Sequence, residues 1–174
     1  MQIVACTRER HGAAILAILN EAIVNSTAVY DYAPRPPESM QAWFDTKQRM
    51  GFPVLGAQHE ASGELLGFAT YGTFRAWPAY KYSVEHSIYI AQGQRGAGLG
   101  RALLQALVDH ARQQGVHTLV GGIDRDNAAS IALHRRLGFE PAGTIRQAGF
   151  KFGRWLDLAF YQLLLGGPAR PVDG

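Results

Sequence analysis

The run Arg95-Gly96-Ala97-Gly98-Leu99-Gly100 sets glycines, which let a backbone come close to a ligand, where a strand-like segment gives way to a helical one. The first amides of a helix have no partner inside it and carry the positive end of its dipole, so this loop reads as an anion site. A tight turn that merely opens a helix is the plain alternative. Gly96-Ala97-Gly98 also begins the dinucleotide pattern G-x-G-x-x-G, and Asp124 ends the next strand-like run. Arg101 stands where that pattern needs Gly or Ala for close packing, which argues against it. The Gly-Lys-Ser/Thr ending of a nucleotide P-loop is missing too. A second chemical segment, Gly72 to Tyr80, joins Arg75 to Phe74, Trp77 and Tyr80. A guanidinium among aromatics suits a small anion: Arg75 would grip a carboxylate through paired hydrogen bonds, Trp77 would wall the pocket, and Ala76 lies between them. Surface and packing duties are the alternative for both. Cys6 reads as a small buried apolar residue, and no serine or cysteine has an evident base partner, so nothing points to a covalent intermediate on the chain.

The elements that must position these groups follow from periodicity. Ile3 to Ala5 is a strand, and apolar residues from Ala14 to Ile23 recur at helical spacing. Met40, Trp43, Phe44 and Lys47 mark a shorter helix. Phe52 to His59 and Leu65 to Tyr71 flank a polar turn and read as an antiparallel hairpin. Val84 to Ala91 is a strand that runs into the glycine loop, beyond which leucines at helical spacing continue to near Gly115. Thr118 to Ile123 is a strand, and Asn127 to Leu137 a helix closed by Gly138. Pro141 to Arg146 and Trp155 to Leu165 complete the strands, with a turn or loop from Gln147 to Arg154 between them. Such an alternation predicts an α/β fold with helices on both faces of a mixed sheet. Residues 1–165 form one expected domain, and 166–174 a flexible tail. His11, His59, His110 and His117 are expected at the surface.

With 174 residues, the chain suits one compact core. Its 47% hydrophobic and 18% charged residues lie far from the disordered classes. One cysteine forbids an intrachain disulfide, and the longest apolar run, Ala13 to Leu19, is too short to span a bilayer. No basic stretch leads into an apolar one at the N-terminus, so the cytoplasm is the expected location. A net charge of +3 favours anionic ligands, but scattered basic residues make no stripe for nucleic acid.

The arrangement R-x-x-G-x-G at Arg95 to Gly100, with Asn127-Ala128-Ala129-Ser130 and Leu133-His134-Arg135-Arg136-Leu137-Gly138-Phe139, resembles the acetyl-coenzyme A site of the GNAT acyltransferase superfamily. Val84 to Ile90 and Gly149 to Asp157 resemble its phosphinothricin and methionine sulfoximine N-acetyltransferase branch, and the likeness runs from Ile3 to about Leu165. It implies a three-layer αβα fold with a mixed, mostly antiparallel sheet. It implies that Ile88, Tyr89 and Ile90 pair with the pantetheine arm. It implies further that the backbone of Arg95, Gly96, Ala97, Gly98, Leu99, Gly100 and Arg101 holds the pyrophosphate. Asn127 would touch the pantetheine or sulfur region; an N-cap role is the alternative, and both are compatible.

The resemblance also implies acetyl transfer from acetyl-CoA to an amine by direct attack in a ternary complex, with no metal. Attack needs an uncharged amine, so a base must remove its proton. Glu85 is the carboxylate at the matching strand position. His134 stands where many superfamily members have Tyr; imidazole there serves either as base for the amine or as acid for the leaving thiolate. Arg75, Ala76, Trp77, Glu85, His86 and Ser87 are the expected substrate contacts. Related enzymes are homodimers, which adds Lys151 and Phe152 from a partner copy. The rival readings are a non-catalytic acetyl-CoA sensor and a protein or peptide N-terminal acetyltransferase.

Overall fold

A computed structural model describes residues Met1–Asp173. Seven strands in the order β1-β2-β3-β4-β5-β7-β6 and four α-helices make an open, mixed α/β sheet. The chain divides into two compact units, 1–70 with 87–107, and 71–86 with the chain from Val108 onward.

In the first unit β1 (Gln2–Ala5) pairs antiparallel with β2 (Val54–Gln58), which pairs antiparallel with β3 (Leu65–Thr73), as the sequence predicts for the hairpin. Helix α1 (Arg8–Asn25) starts at Thr7, whose side chain accepts from Arg10 N, and α2 spans Ser39–Arg49. Ile15, Ile18, Leu19, Met40, Val54, Leu65 and Phe68 form the core between these elements. Fully burying a side chain such as Ile15 or Phe68 contributes about 1.5–3 kcal/mol. Phe68 meets Trp43 edge-on at 6.3 Å and Tyr89 at 5.3 Å. A Cβ at Gly67 would come within 2.8 Å of the Tyr89 carbonyl oxygen, so glycine is what allows β3 its close approach to that segment. His11 departs from the expected surface position. It lies buried on α1, where its Nδ1 accepts from the Thr7 amide and fastens the helix start.

Strand β4 (Ser83–Ile90) leaves the second unit after His86, and α3 (Leu99–Gln113) enters it after Leu107. In the second unit β4 pairs parallel with β5 (Thr118–Asp124) from Ser83↔Thr118 to His86↔Gly121. β5 pairs antiparallel with β7 (Arg154–Leu164), and β7 with β6 (Glu140–Lys151). Helix α4 (Ala128–Arg136) is capped by Asn127, and Gly138 takes a φ of 85° just beyond it, as a left-handed helix end requires. Leu119 and Leu156 are fully buried, with Phe139 close to it.

The loop expected from Gln147 to Arg154 is instead the continuation of β6. Its ladder is irregular between Ile145 and Gly149, where Gln147 has a φ of 52° and donates its amide to Asp157 Oδ1 at 2.9 Å. That bulge uses up the residues that break the pattern, and the hairpin closes at Phe152-Gly153, both at positive φ. Beyond Leu164 no helix or strand follows among the described residues, but His117 Nδ1 donates to Gly167 O and the Tyr82 hydroxyl accepts from Val172 N. Among those residues no helix is long and apolar enough to cross a membrane.

Candidate active site

The glycine loop belongs to the first unit. Gly96 and Gly98 have φ values of 87° and 79°, and a Cβ built on either meets nothing within 4 Å. They are therefore glycines for the sake of the backbone path, not of packing. The first backbone bond into the helix runs from Ala102 N to Gly98 O, leaving the amides of Leu99, Gly100 and Arg101 as the orphan donors of the first turn. Gly96, Ala97, Gly98 and Arg101 are exposed, and the Arg95 guanidinium bonds Glu21 of α1 at 2.9 Å. Amides without a backbone partner in the first turn of α3, next to an exposed glycine loop, are what a pyrophosphate site needs. Ser87, Ile88, Tyr89 and Ile90, in the same unit, are each part-buried.

In the second unit, Glu85 and His86 are consecutive on β4 and so project to opposite faces of the sheet. Two consecutive glycines of β5 receive them. A Cβ at Gly122 would fall 2.8 Å from Glu85 Oε1, so the absence of a side chain there lets the carboxylate lie across the strand. Burial pushes the Glu85 carboxyl up, and the Arg75 guanidinium pulls it part of the way back. Arg75 itself is exposed; its Nη1 donates to Phe74 O at 2.8 Å and its guanidinium lies 4.4 Å from the Phe74 ring centre. Ala76 and Trp77 are exposed beside it.

On the other face a Cβ at Gly121 would fall 2.6 Å from His86 Cε1 and 3.2 Å from His134 Nε2. The two imidazoles meet there, Nε2 to Nε2 at 2.8 Å. His86 Nδ1 donates to Val120 O at 2.6 Å, and His134 Nδ1 donates to Ser130 O at 2.7 Å. Both rings are buried, and Phe139 packs on them with ring centres 5.4 Å and 5.0 Å away. Burial lowers the proton affinity of His134, the Ser130 carbonyl opposing it; burial and the neighbouring His134 hold His86 down at about 3.

The expected catalytic residues are thus not brought together: Glu85 and His134 lie on opposite faces, and His134 is joined to His86 instead. His86 has a protein partner on each ring nitrogen, unlike a residue that waits for substrate. Sequence reasoning missed Gly121-Gly122, although adjacent glycines inside a strand are a readable sign of close approach. Asn127 is the N-cap, its Oδ1 accepting from Ser130 N at 3.0 Å. Asp124 binds the Asp126 amide and pairs with Arg154, which accounts for it without a ribose. Lys151 is buried with its Nζ 5.0 Å from the Phe152 ring centre. No cluster of three or more metal-ligating side chains occurs among the described residues.

The family model described as "Acetyltransferase (GNAT) family" matches residues 19–139. The L-methionine sulfoximine/L-methionine sulfone acetyltransferase of Pseudomonas aeruginosa is 54% identical over 151 residues, 87% of each chain. A solved structure from Acinetobacter baylyi superposes with a TM-score of 0.98 at 57% identity, over 99% of this chain and 96% of that one. A GNAT phosphinothricin acetyltransferase from Sinorhizobium meliloti, solved in complex with acetyl-CoA, superposes with a TM-score of 0.91 at 36% identity, over 99% of this chain and 94% of that one. With the open glycine loop at the start of α3 and the mixed seven-stranded sheet, these matches establish that the chain belongs to the acetyltransferase (GNAT) family, whose members use acetyl-CoA.

Proposed function

We propose that this N-acetyltransferase acetylates the amino group of a small amino-acid-like substrate such as methionine sulfoximine, methionine sulfone, phosphinothricin or an L-amino acid. The observation that carries the reading is Glu85 laid over bare Gly122, its carboxyl raised by burial and felt by Arg75. An amino acid presents an ammonium beside a carboxylate, and Glu85 with Arg75 is the complement of that pair. The relatives' names support the same substrate class.

Arg75 grips the carboxylate, with Ala76, Trp77 and Ser87 around it. The α-ammonium of a free amino acid is mostly protonated at neutral pH, and Glu85, directly or through water, takes that proton. The freed nitrogen attacks the thioester carbonyl, and backbone N–H groups along Ile88 to Ile90 steady the oxyanion. When the C–S bond breaks, its electron pair stays on sulfur, which then takes one proton. In all two protons leave nitrogen, one ends on coenzyme A and one in water. The backbone of Arg95 to Arg101 holds the pyrophosphate, and Asn127 adds a contact to the pantetheine while capping α4.

A cytoplasmic homodimer belongs to this reading. The exposed side chains of Phe150, Phe152 and Trp155 on the β6–β7 hairpin offer the second copy an apolar surface, and Phe152 would reach its site from there, whereas Lys151 is buried in its own chain. Sedimentation of the purified chain tests the dimer. The activity test is thiol release from acetyl-CoA with each of the four amine classes and with an N-terminal peptide, products identified by mass. Acetylation of the small amines is expected. Turnover with the peptide alone overturns the substrate class, and no turnover with any amine leaves a sensor.

A further inference from the structure

The four ring nitrogens of His86 and His134 make three contacts at 2.6–2.8 Å, each of which needs one proton. His134 Nδ1 also has the Ser130 hydroxyl, which can accept as well as donate, at 3.4 Å. Val120 O and Ser130 O are carbonyls, which only accept, so both Nδ1 atoms carry hydrogen. A neutral imidazole has one N–H, so with both protons on Nδ1 the two Nε2 atoms would face each other lone pair to lone pair at 2.8 Å. Only a third proton turns that contact into a hydrogen bond.

We propose that His86 and His134 hold a single proton between their Nε2 atoms and behave as one imidazole–imidazolium pair of charge +1, with His86 as the residue that positions His134 and keeps it loaded. The surroundings are consistent with a single charge. Val120 and Gly121 of β5, Ser130 of α4 and Phe139 enclose the rings, Phe139 with its ring centre 5.4 Å from His86 and 5.0 Å from His134. Of the charged groups nearest in the chain, Glu85 projects to the opposite face and Arg135 lies over the Tyr161 ring. Burial opposes the first proton on either ring, and the 2.8 Å bridge between the Nε2 atoms is what offsets it; burial and the first charge together then oppose a second.

The pair is loaded at rest, so it can give a proton but has no lone pair to take one. Both ring nitrogens of His134 are held by protein partners, so the pair gives its proton only when the bridge to His86 opens toward the thiolate, and the base part is left to Glu85. This last step rests on the acetyl-transfer reading: the Nε2–H bond breaks, an S–H bond forms on the departing thiolate, and the pair falls from +1 to neutral until water reloads it. The shared proton itself does not depend on that reading.

The test is nitrogen-15 NMR of the histidine rings in the free, unmutated protein at neutral pH, with resonances assigned through His86→Gln and His134→Gln. Three protonated ring nitrogens and a strongly downfield bridging proton are expected. Two neutral rings with bare Nε2 atoms overturn the pair, whatever amine the enzyme acetylates. A bridging proton in a protein that acetylates nothing leaves the pair standing and removes the acetyl-transfer reading. In His86→Gln the carboxamide donates to His134 Nε2 and fixes that ring as neutral. The bridging proton should then vanish, kcat should fall about 10- to 100-fold, and the KM for acetyl-CoA should stay within about twofold. Wild-type kcat with an unchanged pH profile in that variant overturns the positioning role.

Discussion

At the scale of single residues, the two sides of β5 make separable predictions. Glu85→Gln is expected to lower kcat by about 10²- to 10³-fold while calorimetry finds acetyl-CoA binding unchanged, since the variant loses a base and no cofactor contact. The same substitution has a stability consequence. Burial raises the Glu85 carboxyl, so the folded chain holds that proton more tightly than the unfolded one. Its contribution is present in acid and is lost as pH climbs through the raised value. Glutamine cannot ionise, so at neutral pH Glu85→Gln should melt no lower than the wild type, and an appreciably lower Tm would show that the carboxylate stabilises the fold. Gly122→Ala should keep the fold, because the atom in its way is the far end of a flexible side chain, yet cut kcat about tenfold by displacing Glu85. The place of Glu85 on a strand just ahead of the glycine loop was legible, because apolar residues mark that strand in the sequence. The partnership of His86 with His134 was not. It joins residues 48 positions apart, and only the pairing of β4 with β5 and the docking of α4 decide that their rings meet.

At the scale of elements, periodicity located nearly every helix and strand, because the apolar positions that define the period are also those buried. The exception was β6. Its polar, glycine-bearing stretch looks like a loop, and what keeps it a strand is a bulge held by Asp157 and a two-residue turn, neither of which shows as hydrophobic alternation. The glycine loop was legible for the opposite reason, since left-handed backbone leaves a residue signature. Gly98→Val tests it: a β-branched residue at a φ of 79° is strained by about 1–2 kcal/mol and must distort the path of the amides. Acetyl-CoA affinity should drop at least about tenfold by calorimetry, a change of about 1.4 kcal/mol. Unchanged affinity would take the loop out of phosphate binding.

At the scale of the whole molecule, the α/β architecture was legible from the alternation of elements, whereas the order of the strands rests on pairings between distant segments. Binding to the folded chain alone gives a global readout. Acetyl-CoA at a hundredfold excess over its Kd stabilises by about 2.7 kcal/mol, which for a chain of this size raises Tm by about 5–10 °C. Coenzyme A should do nearly as well, and adenosine much less, if the loop's amides supply the affinity. The back-to-back glycines of β5 carry a further meaning. With Glu85 on one side of the sheet and the histidines on the other, the proposed roles would have the hydrogen ion stripped from nitrogen and the one delivered to sulfur travel by separate ports. On that proposal the two halves of the cycle should slow independently in heavy water, and a small buffer acid should rescue a histidine variant without helping one that lacks the carboxylate.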